Sequence, residues 1–130
     1  MGGNGTFAAG RIVAYRWETV GEIHGVKVLR PLLPPGQKRI SQKLPEESHS
    51  SQMYLMLHGN GTFAQLRIYD RQHRLRLELA YHPEANLDKS HKDVLHYHIY
   101  TQPGFKHGPA RLATPAMIRR FGKYLKGVLP

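Results

Sequence analysis

The residues best equipped for chemistry lie in Asp93 to Tyr100, Asp-Val-Leu-His-Tyr-His-Ile-Tyr. Read as a strand, this stretch sends Leu95, Tyr97 and Ile99 to a core face and Val94, His96, His98 and Tyr100 to an open one, because alternate side chains share a face. Two imidazoles on one face can move protons near neutral pH or ligate a metal ion. Their companions come from the two strands before them, where Arg67, Arg76, Glu78 and His82 alternate with apolar residues.

Register follows from the turns, since a slip of one residue would exchange core and solvent faces. A type I′ turn with Asn60-Gly61 at its centre pairs Gly59 with Thr62, and outward from there Tyr54 falls opposite Arg67. A two-residue turn at Gln72-His73 pairs Arg71 with Arg74 and brings Arg67 opposite Glu78. The fourth strand then adds His96 or His98 to the same row.

Tyr, Arg, Glu and His in one row suit cleavage of RNA through its neighbouring 2′-hydroxyl. A carboxylate or neutral imidazole removes the hydroxyl proton, an imidazolium protonates the leaving oxygen, and a guanidinium stabilises charge at phosphorus. Glu78 or His96 is the candidate base, His98 or His82 the acid, and Arg67 with Arg76 the phosphate clamp. Such a reaction needs no metal and no other cofactor. Lys38, Arg39, Lys106, His107 and the cations of the C-terminal helix are placed to track a phosphate backbone, and Tyr54, Tyr69 and Tyr100 to stack on bases.

Two other readings use the same residues. A solvated sheet face ordinarily carries charged and aromatic side chains, and an exposed Arg67 to Glu78 pair would contribute only about 0.2–1 kcal/mol. Alternatively, His96 and His98 bind a divalent metal with His82, Glu78 or His49 as third ligand. The surrounding arginines and the absence of a carboxylate soon after His98 weigh against the metal.

The positioning elements are legible as alternating runs. Arg11 to Trp17 and Glu22 to Arg30 are strand-like, with Gly25 at a bulge or tight turn. Pro31 to Pro45 holds four of the nine prolines together with Gln37, Lys38, Arg39 and Lys43, and reads as an exposed basic loop. Gln52 to His58, Phe63 to Asp70 and the run from Arg74 to His82 read as strands; they place Met53, Leu55, Leu57, Ala64, Leu66, Ile68, Leu75, Leu77, Leu79 and Tyr81 in the core. His82 to Asp93 is longer than a hairpin requires, as functional loops often are. Thr114-Pro115 followed by Ala116 to Lys126 and Gly127 is the punctuation of a helix, with Met117, Ile118, Phe121 and Leu125 as its apolar stripe. The expected fold is α+β: a twisted antiparallel sheet, a meander of four main strands plus an N-terminal hairpin, backed by a C-terminal helix. Residues 1–10 form a flexible arm and 11–130 a single domain.

Composition narrows the partners. Nineteen Lys and Arg against nine Asp and Glu give a formal charge of +10, which points to nucleic acid, RNA for the chemistry above. The absence of cysteine excludes disulfides and thiolate metal sites. No run approaches the roughly 20 apolar residues of a membrane span, so no membrane role is expected.

Gly2-Gly3-Asn4-Gly5-Thr6-Phe7, Leu44-Pro45-Glu46-Glu47-Ser48-His49-Ser50-Ser51, Leu79-Ala80-Tyr81-His82-Pro83-Glu84 and Leu95-His96-Tyr97-His98 look like recurring blocks of small, mostly uncharacterised prophage-encoded proteins of Gram-positive bacteria. Such segments are associated with phage head-gene neighbourhoods. The resemblance implies a phage context, a virion component among the partners, and a cytoplasmic or virion-associated location; it transfers no catalytic residue. In general plan the chain also looks like compact bacterial ribonuclease toxins, a likeness of fold that would imply an immunity protein as partner.

Overall fold

Period-two alternation folds most of the chain into strands. The computed structural model describes residues 7–8, 11–12, 16–32, 44–45, 47–49, 51–102 and 106–128. Its strands are β1 (Phe7–Ala8), β2 (Arg11–Ile12), β3 (Arg16–Ile23), β4 (Val26–Leu32), β5 (Met53–Leu57), β6 (Phe63–Tyr69), β7 (Leu75–Pro83), β8 (Asp93–Gln102), β9 (Lys106–His107) and β10 (Arg111–Leu112). The first two pair only with each other. The rest form one sheet in the order β10-β8-β7-β6-β5-β4-β3, with β9 also hydrogen-bonded to β8. Lys38, Arg39 and most of the expected N-terminal arm and basic loop lie outside the described residues.

An α+β fold built on one sheet is therefore present, but the sheet is mixed. The β3–β4 hairpin joins β5 in parallel through Lys27↔Tyr54 and Val28↔Leu55, in place of the expected all-antiparallel arrangement. Past those pairs the strands part, leaving a groove of about 570 Å³ lined by Val20, Leu29, Leu32, Met56 and Leu57 among others. The β3–β4 turn is His24-Gly25, both at positive φ (48° and 82°), between the paired Ile23 and Val26. That is the backbone of a two-residue I′ hairpin. Of the two alternatives for Gly25 the tight turn is the one present, and it separates two strands where one run was expected.

Both turns expected further along differ in detail. The Gly61 amide donates to the His58 carbonyl at 2.9 Å, and only Gly61 of the Asn60-Gly61 pair has positive φ. This is a turn followed by a left-handed residue, the usual three-residue hairpin loop. The next loop repeats it: the His73 amide donates to the Asp70 carbonyl at 2.9 Å, and His73 has φ 65°. In each hairpin a bulge then shifts the register, at Ala64 and at Arg76. Because a bulge reverses the alternation beyond it, Ala64 and Leu75 leave the face assigned to them by parity.

Two cores result, one on each side of the sheet. On one side Val26, Val28, Leu55, Phe63, Leu66 and Leu79 pack against Phe121, Tyr124 and Leu125 of the C-terminal segment. On the other lie Trp17, Leu29, Leu44, Tyr54, Met56, Ala64, Tyr69, Leu75 and Tyr100. The second cluster overturns the expectation of an open polar face. Leu44 and Pro45, expected in an exposed loop, are buried against it. Ile99, expected in the core, is in contrast 47 % exposed.

The helix α1 spans Pro115–Phe121, and Gly122–Tyr124 continues it as a 3₁₀ turn. The Thr114 hydroxyl accepts from the Met117 amide at 3.1 Å, and Pro115 occupies the first turn, where its missing N–H costs nothing. The regular helix is shorter than the expected Ala116 to Lys126. Glycine at 122, a poor helix former, coincides with the change of winding. The chain end is fixed to the sheet by the Phe63 amide, which donates to the Lys126 carbonyl at 2.8 Å.

Candidate functional site

Cross-strand pairing in the centre of the sheet sets Tyr54 opposite Arg67, Arg67 opposite Glu78, and Glu78 opposite His98. The row inferred from sequence is the one the backbone forms, with His98 as its histidine. Its setting is different from the one expected. Arg67 is 3 % exposed and Glu78 6 %. The Arg67 Nε donates to Glu78 Oε1 at 2.7 Å, Nη2 lies 2.6 Å from the same oxygen, and Nη1 donates to the Leu44 carbonyl at 2.8 Å. Burial opposes the Arg67 charge, but the adjacent Glu78 carboxylate, together with the Tyr100 and Tyr69 hydroxyls, outweighs it and holds the guanidinium above its usual pKa.

The covering segment is fastened by the polar residues it conceals. Besides Arg67, the Tyr69 hydroxyl donates to the Pro45 carbonyl at 2.5 Å, and Gln65 Oε1 accepts from the Leu44 amide at 2.7 Å. The Ser48 amide bonds the His73 carbonyl, and the His49 amide donates to the Tyr54 hydroxyl at 3.3 Å. The segment thus satisfies much of its backbone on side chains of the sheet, as buried polar groups require.

This placement corrects several expected roles. Arg67 and Glu78 are enclosed and bonded to each other, so in this conformation neither presents a polar atom to a substrate. Tyr54, Tyr69 and Tyr100 are buried and offer no open ring for base stacking. Burial drives the Tyr69 hydroxyl far above the ordinary tyrosine range, which keeps it a neutral donor. Arg76 keeps part of its surface, but its Nε is bound to Asp70 Oδ2 at 2.8 Å and its Nη1 to the Thr101 carbonyl at 3.2 Å. His49 is exposed and belongs to no cluster of metal-ligating groups among the described residues.

The histidines gather instead toward the far end of β7 and β8. The rings of His82 and His96 meet edge to face at 4.7 Å between centroids, and those of His96 and His98 at 5.4 Å. Each donates through Nδ1 to a main-chain carbonyl: His82 to Pro83 at 2.8 Å, His96 to Val94 at 2.7 Å, and His98 to Gly108 at 2.9 Å. In the neutral ring this fixes the lone pair on Nε2. His96 is wholly inaccessible, and its Nε2 is buried with no hydrogen-bond partner. Burial lowers the His96 pKa; the Val94 carbonyl pulls the other way, and neighbouring His82 and His98 reinforce the lowering.

One carboxylate completes the group. Ligand atoms of Glu84, His96 and His98 all lie within 4.8 Å of one another. Glu84 is absent from the candidates that sequence reasoning supplies. A signal for it exists: His82-Pro83-Glu84 continues the alternation of Glu78, Ala80 and His82 by one step past the proline.

No family model, curated protein or solved structure matches the chain.

Proposed function

We propose that this protein binds the phosphate backbone of a nucleic acid, RNA in the first instance, through its exposed cations. The observation that carries this reading is the charge of the C-terminal part of the chain. From Val94 onward there is no Asp or Glu, while Lys106, Arg111, Arg119, Arg120, Lys123 and Lys126 are all cationic. Arg111, Arg119, Arg120, Lys123 and Lys126 are exposed. Among the described residues the ion pairs are Arg30–Glu18, Arg67–Glu78 and Arg76–Asp70, and none of them involves these five cations. Unpaired cations of this kind gain most from polyanions, by releasing condensed counterions. With the three candidate tyrosines buried, stacking on bases gives way to backbone contact, and the affinity should be insensitive to sequence.

The test is a titration of labelled single-stranded RNA at several salt concentrations. For about five phosphate contacts, log K should fall with log[salt] with a slope near −3.5. Changing Arg119, Arg120 and Lys123 together to alanine should flatten that slope by about 2. A slope that stays unchanged in this variant would refute the assignment of the surface.

A second reading, cleavage of bound RNA, moves from Arg67 and Glu78 to His82, the half-buried member of the histidine group. It is favoured by the clustering of three imidazoles with Glu84. Incubation of RNA with wild type and His82→Ala proteins in excess chelator tests it. Cleavage lost in His82→Ala supports metal-free acid–base chemistry, whereas no cleavage by wild type removes it. A virion component as partner is supported by the phage resemblance alone, and co-sedimentation with purified particles would test it.

A further inference from the structure

We propose that Glu84, His96 and His98 form a binding site for a divalent transition-metal ion of the zinc class. The proposal is independent of nucleic-acid binding and rests on four features of the fold. First, the ligand atoms of the three side chains already lie within 4.8 Å of one another. At zinc–nitrogen distances of about 2.0–2.1 Å, tetrahedral ligands stand roughly 3.4 Å apart. Glu84, half-buried at the start of the connection between β7 and β8, is the member best placed to close that difference.

Second, His96 Nε2 is an acceptor sealed from solvent with nothing to accept from. Leaving such an atom unsatisfied costs about 1–3 kcal/mol, and native proteins rarely tolerate it without a reason. A metal ion between Nε2 and the Glu84 carboxylate supplies one. Third, the Nδ1 atoms of His96 and His98 are held by the Val94 and Gly108 carbonyls at 2.7 and 2.9 Å. Metal-ligating histidines are oriented in this way, with the second nitrogen donating to a carbonyl so that the ligating one keeps its lone pair.

Fourth, the electrostatic objection to a cation is weakened. Arg67, the guanidinium in the row that ends at His98, already carries Glu78 as its counter-charge at 2.7 Å. Two imidazoles with one carboxylate favour zinc, cobalt or nickel over magnesium and calcium, which prefer all-oxygen sites. Three protein ligands leave one tetrahedral position for water or an anionic ligand, unlike the closed four-ligand set of a structural zinc site.

The experiment is calorimetric titration of chelator-treated full-length protein with zinc chloride, paralleled by cobalt chloride read in the visible. A single ion per chain should bind, with cobalt giving the intense absorption of a tetrahedral centre. His96→Ala and Glu84→Gln should each weaken binding by about tenfold or more. His91→Ala, in the exposed part of the connection, should leave it unchanged and thereby separates the site from adventitious surface histidines. Because His96→Ala alters a buried side chain, the half-buried Glu84→Gln serves as the variant that keeps the fold. Wild-type affinity retained in Glu84→Gln with no change in the cobalt spectrum would overturn the proposal, as would absence of stoichiometric binding to wild type. Zinc bound equally by all variants would mean adventitious histidine coordination and would also overturn it.

Discussion

At the residue scale, the Arg67–Glu78 pair shows how a correct neighbour relation can carry the wrong energy. On an exposed sheet the pair would be nearly neutral. Enclosed beneath Leu44 and Pro45, each charge depends on the other. Arg67→Ala should destabilise the protein by about 3–5 kcal/mol in chemical denaturation, because it strands a buried carboxylate. The double change Arg67→Met with Glu78→Leu should cost much less, the apolar pair needing no counter-charge. Asp70 offers a pH test. Burial would raise its pKa, but hydrogen bonds from the Arg74 amide, the Arg76 guanidinium and the Gln72 amide outweigh it, so the folded value lies below 3.8. A carboxylate depressed in the folded state contributes stability above its unfolded pKa and loses it as pH falls through the folded one. Asp70→Ala should therefore cost about 1–2 kcal/mol at pH 7, with the gap to wild type narrowing below about pH 4 in thermal melts. The row of Tyr54, Arg67, Glu78 and His98 was legible because alternation is local. Its cover was not, since Leu44-Pro45 carries no periodic pattern and meets the sheet far along the chain.

At the element scale, the hairpins were legible as hairpins while their loops were not. The sequence favoured two-residue turns, but the chain uses three-residue loops closed by left-handed Gly61 and His73. The bulges at Ala64 and Arg76 bring the centre of each hairpin back to the pairing that the simpler turns implied. Two departures from regularity cancel there, and only the residues near the loops change face. Gly61→Ala should cost about 1 kcal/mol, since a Cβ disfavours φ of 87°. Gly127→Ala should cost more. It too has a positive φ, 79°, and an added Cβ would collide with the Thr62 side chain at Cγ2. Equilibrium urea unfolding of both variants checks the ranking.

At the scale of the whole molecule, one sheet with a helix against it was legible, but its mixed character was not. Nothing in Gln52 to His58 distinguishes a strand with a parallel neighbour from one with an antiparallel neighbour. The choice is made by how the intervening chain returns. No helix among the described residues is long and apolar enough to cross a membrane. The hairpins of β5 with β6 and β6 with β7 close over short loops, whereas the parallel seam at Val28↔Leu55 joins segments distant in sequence. Loop-closure entropy should place that seam late in folding. Val28→Ala, costing about 2 kcal/mol, should slow folding by less than about threefold while speeding unfolding about tenfold. Stopped-flow chevrons of wild type and variant measure the partition directly.

The Leu44-Pro45 segment behaves toward the sheet as a peptide ligand that happens to be tethered. Its main-chain atoms grip Arg67, Tyr69 and Gln65, and its Leu44 side chain joins the core on that side of the sheet. Its occupancy is therefore set by an effective concentration, in the millimolar range for short tethers. A free peptide competing for the same carbonyl-binding row would have to exceed that value. Lengthening the tether by inserted glycine and serine would lower it, releasing the row in a graded way with the pairing of β5, β6, β7 and β8 left intact.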